Sequence, residues 1–255
     1  MGLDIYAGTL TRYYSRNWKS ATQKWAEENG LSYDTIRPDG ETTQEEAVSA
    51  DTIQTAVQEW SCAVANSLIS PSGQGYEAWE ENNEKDYFTD KPDWSAFGAL
   101  LLYGACLKYK LPLPQKVKKD WDYQQDTIVV RALEDNELNW SLFSYVEWWL
   151  PFDDSFSFNC ITPNECEVKM ATTGTLLAEL RVINENGWNA DEAMILSWSE
   201  TEGYPTDAEI VDNDYNKIAD NDEYDVQSLA KFAFSIMYQA ALFSEKHHVP
   251  ILMDY

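Results

Sequence analysis

Leu3, Ile5 and Ala7 alternate with Asp4, Tyr6 and Gly8, the period-two pattern of a half-buried strand. The period then becomes helical. Trp18, Ala21 and Trp25 share a face and predict a helix over about 15–29, stopped by Gly30. Pro38-Asp39-Gly40 marks a turn, and Thr43 to Glu46 reads as a capping box. Ile53, Val57, Trp60, Val64 and Leu68 recur at helical spacing, with Pro71 beyond the end. Residues 70–92 are polar, acidic and predicted as loop. Asp93 then caps a very apolar helix through Leu107. Its small Gly98, Ala99, Gly104 and Ala105 admit close neighbours, which makes it the expected central helix. Two prolines, Pro112 and Pro114, end it, next to a basic patch at Lys116, Lys118 and Lys119.

Thr127 to Val130 is β-branched and predicts a strand, and 139–150 is densely aromatic. Phe156, Phe158 and Cys160 alternate with polar residues, as do Cys166, Val168 and Met170, which predicts a hairpin. A two-residue turn would pair Phe158 with Lys169 and mix the faces. A three-residue loop at 163–165 pairs Phe158 with Met170 and Cys160 with Val168, and the hydrophobic face selects this register. Helices are predicted over 173–186, closed by Gly187, and over 189–199, opened by a capping box of Asn189 and Glu192. An acidic loop follows over 200–225. A last helix from Asp225 carries Leu229, Phe232, Ile236, Ala240 and Phe243, and 251–255 adds a terminal strand. The expected class is α+β, predominantly helical, with a central apolar helix and a small antiparallel sheet. No repeat or Gly/Ser linker divides the chain, so one domain is expected over 1–255. A boundary, if there is one, falls in the acidic stretch 70–92.

Charge adds what periodicity cannot. The 255 residues carry 44 acidic and 18 basic side chains, a net charge of -26. Thirteen carboxylates and one Lys fall within 185–225, whereas the first 24 residues hold Arg12, Arg16, Lys19 and Lys24 against Asp4 alone. With 11 Trp, 15 Tyr and 9 Phe the chain has the material for a core, so the acidity belongs to the surface. Such a surface repels nucleic acid and anionic membranes and attracts basic partners. The first residues lack a basic, apolar leader pattern, and the longest nearly uncharged apolar run, 94–107, is shorter than the roughly 20 residues of a membrane span. The four Cys are scattered without a CxxC pair, which fits a reducing cytoplasm.

Several segments carry candidate chemistry. Asp212, Asp214, Asn216, Asp220 and Glu223 fall at positions 1, 3, 5, 9 and 12 of a twelve-residue run, the ligand spacing of an EF-hand calcium loop. Lys217 stands where that loop wants Gly, and a solvated acidic loop is the competing reading. Gly73 to Ala78 spells G-x-G-x-x-A, but Glu77, Glu80 and Glu81 repel a pyrophosphate and no strand precedes it. In the run 147–154, Trp148 and Trp149 adjoin Glu147, Asp153 and Asp154. Aromatic faces beside paired carboxylates suit a sugar and the two-carboxylate chemistry of glycoside hydrolysis. The competing reading puts both Trp in the core and the Asp pair on a turn. His247 and His248 are the only histidines and sit at the end of the last helix, where cations complement the dipole.

The leading expectation is a cytoplasmic, non-enzymatic interaction protein that engages a basic protein partner, of the immunity-protein or nucleic-acid-mimic kind. Asp207, Glu209, Asp212, Asp214, Tyr215, Asp222 and Glu223 are its candidate contacts. The alternatives are a carboxylate-dependent hydrolase acting on a glycan or another small substrate, and a calcium-binding acidic loop. No other cofactor is implied, and neither nucleic acid nor a membrane is expected as a partner.

Overall fold

A computed structural model describes residues 2–31, 49–71, 73–205, 210–211, 217–219 and 223–255. In chain order the elements are β1 (Asp4–Ala7), α1 (Leu10–Tyr14), α2 (Ala21–Glu28), α3 (Ala50–Ser67), β2 (Phe88–Asp90), α4 (Asp93–Tyr109), β3 (Lys116–Lys118) and α5 (Thr127–Leu133). There follow β4 (Trp148–Leu150), β5 (Ser157–Ile161), β6 (Glu167–Thr172), α6 (Thr173–Asn186), α7 (Glu192–Thr201), β7 (Ile210–Val211), β8 (Lys217–Ala219), β9 (Glu223–Asp225), α8 (Val226–His247) and β10 (Ile251–Asp254). The class is α+β. Among the described residues no helix is long and apolar enough to cross a membrane.

The chain forms two compact units from interleaved segments. The first comprises Met1–Lys91, Tyr145–Ala178 and Ala240–Tyr255, and the second Pro92–Ser144 and Glu179–Gln239. The turn at Pro38-Asp39-Gly40 and the capping box at 43–46 lie outside the described residues.

The first unit is built on a six-stranded mixed sheet in the order β2-β1-β10-β4-β6-β5, larger than the small antiparallel sheet expected. The β4–β6 pair is parallel and the others are antiparallel. Register aligns one row across all six strands: Thr89, Tyr6, Leu252, Trp148, Met170 and Phe158. Because side chains on a strand alternate between faces, this row makes one continuous aromatic and aliphatic surface. Leu10 of α1 and Val57 and Val64 of α3 pack on it, together with Trp79 from the polar stretch. On the other face Phe88 packs on Phe243 of α8, with ring centroids 6.3 Å apart. The hairpin register is the expected one, Phe158 opposite Met170 and Cys160 opposite Val168.

Local chemistry sets the boundaries. The expected helix over 15–29 is instead α1 and α2. Arg16 takes a left-handed φ of 57° between them, and Ser20 and Gln23 form the capping box that starts α2. Gly30, at φ 67°, closes α2 as predicted. The strand expected at 127–130 is helix α5, because Asp126 Oδ1 accepts from the Ile128 and Val129 amides and so caps a helix start. The N-cap of α7 is Asp191, whose carboxylate accepts from Met194 N at 2.8 Å, in place of Asn189.

The second unit is mainly helical. Helix α4 is buried from Ala96 through Cys106. Its Tyr103 stacks on Trp188 at 4.1 Å and 9° between planes, and Trp188 meets Trp198 and Phe234 edge-on. Strand β3 pairs with β9, setting Lys116 opposite Asp225 and Lys118 opposite Glu223. The basic patch thus neutralises the last residues of the acidic segment through opposite charges on neighbouring strands.

Each unit holds a buried Glu that starts a short helix. Glu81, 1 % exposed, accepts from the Leu10 and Thr11 amides, the Thr11 hydroxyl and Trp79 Nε1 at 2.8–3.1 Å. Those amides are among the unpaired donors of the first turn of α1. Glu179, 5 % exposed, accepts from Ser141 N, Ser141 Oγ and Leu142 N at the start of the 3-10 turn Ser141–Phe143.

Candidate functional site

The candidate carboxylates of the run 147–154 stand at opposite ends of one strand. β10 runs antiparallel to β4, with Leu252 opposite Trp148 and Ile251 opposite Trp149. Met253 N therefore donates to Glu147 O at 2.9 Å, and the Tyr255 hydroxyl reaches the Glu147 carboxylate. Asp153 and Asp154 follow the far end of β4. There Asp154 Oδ2 accepts from the Tyr76 hydroxyl at 2.7 Å, and the Asp154 carbonyl accepts from Thr172 Oγ1. Trp148 and Trp149 are buried, at 8 % and 0 % exposure, so neither presents a ring to a ligand. The shared aromatic and carboxylate site suggested by this run is not formed.

Asp153 instead acts on His248 through its charge. His248 closes α8 in the left-handed conformation, at φ 53°, with Val249 N donating back to Ser244 O. Burial holds its imidazole below the ordinary 6.5, with Lys85 pushing the same way and Asp153 and Glu77 opposing. Removing the Asp153 charge therefore lowers the imidazole further. In Asp153→Asn the His248 ring proton signals should titrate at a lower pH than in wild type, as followed by NMR. An unchanged midpoint would show that Asp153 does not act on this ring. Ser244, the hydroxyl nearest in sequence, is fully buried and donates to Val249 O at 2.6 Å, so it serves as a structural cap.

The N-terminal Arg12, Lys19 and Lys24 are used within their own unit. Arg12 and Lys24 both stand over the Tyr87 ring, 4.9 and 4.4 Å from its centroid, and Lys19 pairs with Glu27 at 2.6 Å.

Of the acidic candidates, Asp207, Glu209, Asp212, Asp214, Tyr215, Asn216, Asp220 and Asp222 lie outside the described residues. Glu223 is described. It belongs to β9 and pairs with Lys116 at 3.3 Å. Strands β7 and β8 pair antiparallel on either side of 212–216. Among the described residues no group of three or more His, Cys, Asp or Glu is arranged to hold a metal.

The predicted helix over 189–199 is α7, and its surface is mixed. Ile195 and Trp198 are buried, and Trp198 packs on Phe234 of α8. Lys231 lies over the Trp198 ring and pairs with Glu202 at 2.7 Å. Burial pushes Glu202 up, but the bonds from Lys231 and Ser228 outweigh it and hold the carboxyl below its ordinary range. With that face fixed, Met194 and Leu196 remain outside at 52 % and 36 % exposure, beside exposed Asp191, Glu192 and Glu200. No family model, curated protein or solved structure matches the chain. The α7 surface must therefore be read from its own chemistry. It joins apolar contact area to carboxylates, with Arg181 and Lys231 the flanking cations among the described residues of 179–239 outside the short hairpin strands.

Proposed function

We propose that this is a cytoplasmic, non-enzymatic interaction protein whose second unit engages a basic protein partner through α7 and the acidic segment that follows. The observation that carries the reading is the exposed face of α7. Helix α7, ten residues long and anchored by Ile195 and Trp198, leaves Leu196 in water between Glu192 and Glu200, four residues to either side, with Met194 exposed on the other flank. Single exposed apolar residues are ordinary, but Leu196 flanked by two carboxylates on one helix face, inside a stretch with thirteen carboxylates and one Lys, matches a basic surface with an apolar contact. The net charge of -26 supports the exclusion of nucleic acid and steers a basic partner from a distance.

Capture from cell lysate tests this with two baits, the wild type and a Glu192→Lys/Met194→Ser/Glu200→Lys variant. All three positions are exposed, so the variant should fold normally. The expected outcome is a basic protein, identified by mass spectrometry, that is retained by the wild type and lost with the variant. Equal retention by both baits would contradict the proposed face.

A further inference from the structure

A recess in the second unit is lined by residues from outside the acidic stretch 185–225. Trp94 and Ser95 open α4, while Trp121, Asp122, Tyr123 and Gln124 come from the segment that forms the 3-10 turn Tyr123–Gln125. Together they line a recess of about 330 Å³, near the lower end of the ~300–1,000 Å³ typical of small-molecule sites. Three of its six lining residues are aromatic, and Ser95, Asp122 and Gln124 are polar. The Tyr123 ring lies 6.4 Å from Trp94, with planes 18° apart, and 6.5 Å from Trp121, with planes 57° apart. All three residues are only half-buried. Gly98 seats this arrangement, because a Cβ there would run into Cβ and Cγ of Tyr123.

One carboxylate, Asp122, stands in the lining itself, with Asp120 and Asp126 near it in sequence and Lys118, Lys119 and Arg131 just outside that run. Electron-rich ring faces beside a carboxylate attract positive charge. Hydrogen bonding then selects the kind of cation. Asp122 Oδ1 accepts from Gln124 N at 2.9 Å, and its Oδ2 accepts from Gln125 Nε2 at 2.8 Å. Asp126 accepts from Ile128 N, Val129 N and Trp121 Nε1. These carboxylates are engaged in capping. A primary ammonium needs acceptors for three N–H groups to replace its water, and a sugar needs a ring of polar partners. A quaternary ammonium needs neither, and it gains from the ring faces and the nearby Asp122 carboxylate.

We infer that this recess binds a quaternary or fully methylated ammonium group. None of its lining residues lies in 185–225, so its test is separate from that of the partner reading above.

Isothermal titration with choline, with its neutral isostere 3,3-dimethylbutan-1-ol and with methyl glucoside tests the inference on the intact protein. Choline should saturate, with the isostere about tenfold weaker, the share a cation–π contact contributes. Trp121→Phe keeps an aromatic ring and should weaken choline about threefold, while Trp121→Ala or Gly98→Ala should weaken it about tenfold. Circular dichroism of Trp121→Phe provides the folding control. A trimethyl-lysine peptide that binds as well as choline would support the site and identify its source as a modified protein, whereas choline binding alone would indicate a free small molecule. An isostere as tight as choline would overturn the inference, as would unchanged affinity in Trp121→Phe, or methyl glucoside saturating where choline does not.

Discussion

Glu81→Ala should cost the protein about 4 kcal/mol of folding free energy, the upper end of what one substitution does. The side chain is 1 % exposed and accepts four hydrogen bonds. Truncation leaves the Leu10 and Thr11 amides, the Thr11 hydroxyl and the Trp79 indole buried without their acceptor. Each such group costs ~1–3 kcal/mol in isolation, and partial relaxation reduces the sum. The loss should appear as a lower midpoint in chemical denaturation. Glu81→Gln keeps the volume and one acceptor oxygen, so it should cost about half as much. Its pH dependence separates charge from shape. Burial raises the Glu81 carboxyl above its ordinary 4.5, and the four donors only partly offset this. A group whose folded value is raised contributes stability that is complete below 4.5 and is lost as pH rises through the folded value. The wild-type advantage over Glu81→Gln should therefore narrow as pH rises from acid to neutral. An advantage that widened with pH would mean that the ionised form is the favoured one.

Gly174→Ala is the second large effect, and its sign is diagnostic. On an exposed helix this change is favourable by up to ~1 kcal/mol. Here Gly174 N donates to Phe152 O at 3.0 Å, and a Cβ would land on the Asp153 carbonyl. The 152–154 backbone would have to retreat from α6. That breaks the bond from Thr172 Oγ1 to Asp154 O and pulls on the Tyr76–Asp154 pair. A loss of about 3 kcal/mol is expected, as for other overpacked sites. Calorimetry of Gly174→Ala should show a Tm several degrees lower. An equal or higher Tm would contradict the packing described for this turn.

Short-range features of the fold were legible in the sequence. β1, α3, α6, α8, β10 and the β5–β6 hairpin follow from apolar spacing, and the hairpin register follows from keeping Phe158 and Met170 on one face. Where a polar side chain bonds to the backbone, spacing misled. Asp126 turned a β-branched run into α5, and Ser20 split one expected helix into two. Long-range closures left no periodic trace. Glu81 reads as one more acid in a polar stretch, yet it closes α1 from 70 residues away. The exposed apolar pair on α7 was equally hidden, because Met194 and Leu196 look like core until Ile195 and Trp198 take the inward positions. The recess depends on Trp94 meeting Tyr123, residues from separate segments joined only by packing on α4. The run 147–154 shows the reverse case: neighbours in sequence, its carboxylates are carried by β4 to opposite ends of the strand.

The central claim is that an acidic, partly apolar face on the second unit recruits a basic partner. The most direct measurement is the association rate of the captured partner at about 0.05 M and about 0.3 M salt, where the screening length falls roughly from 14 to 6 Å. It should be made for the wild type and for Glu192→Lys/Met194→Ser/Glu200→Lys. The account predicts that the wild-type rate falls at least tenfold with added salt, and that the variant associates slowly at both salts with a faster dissociation. A rate that does not respond to salt and is the same in both proteins would contradict it.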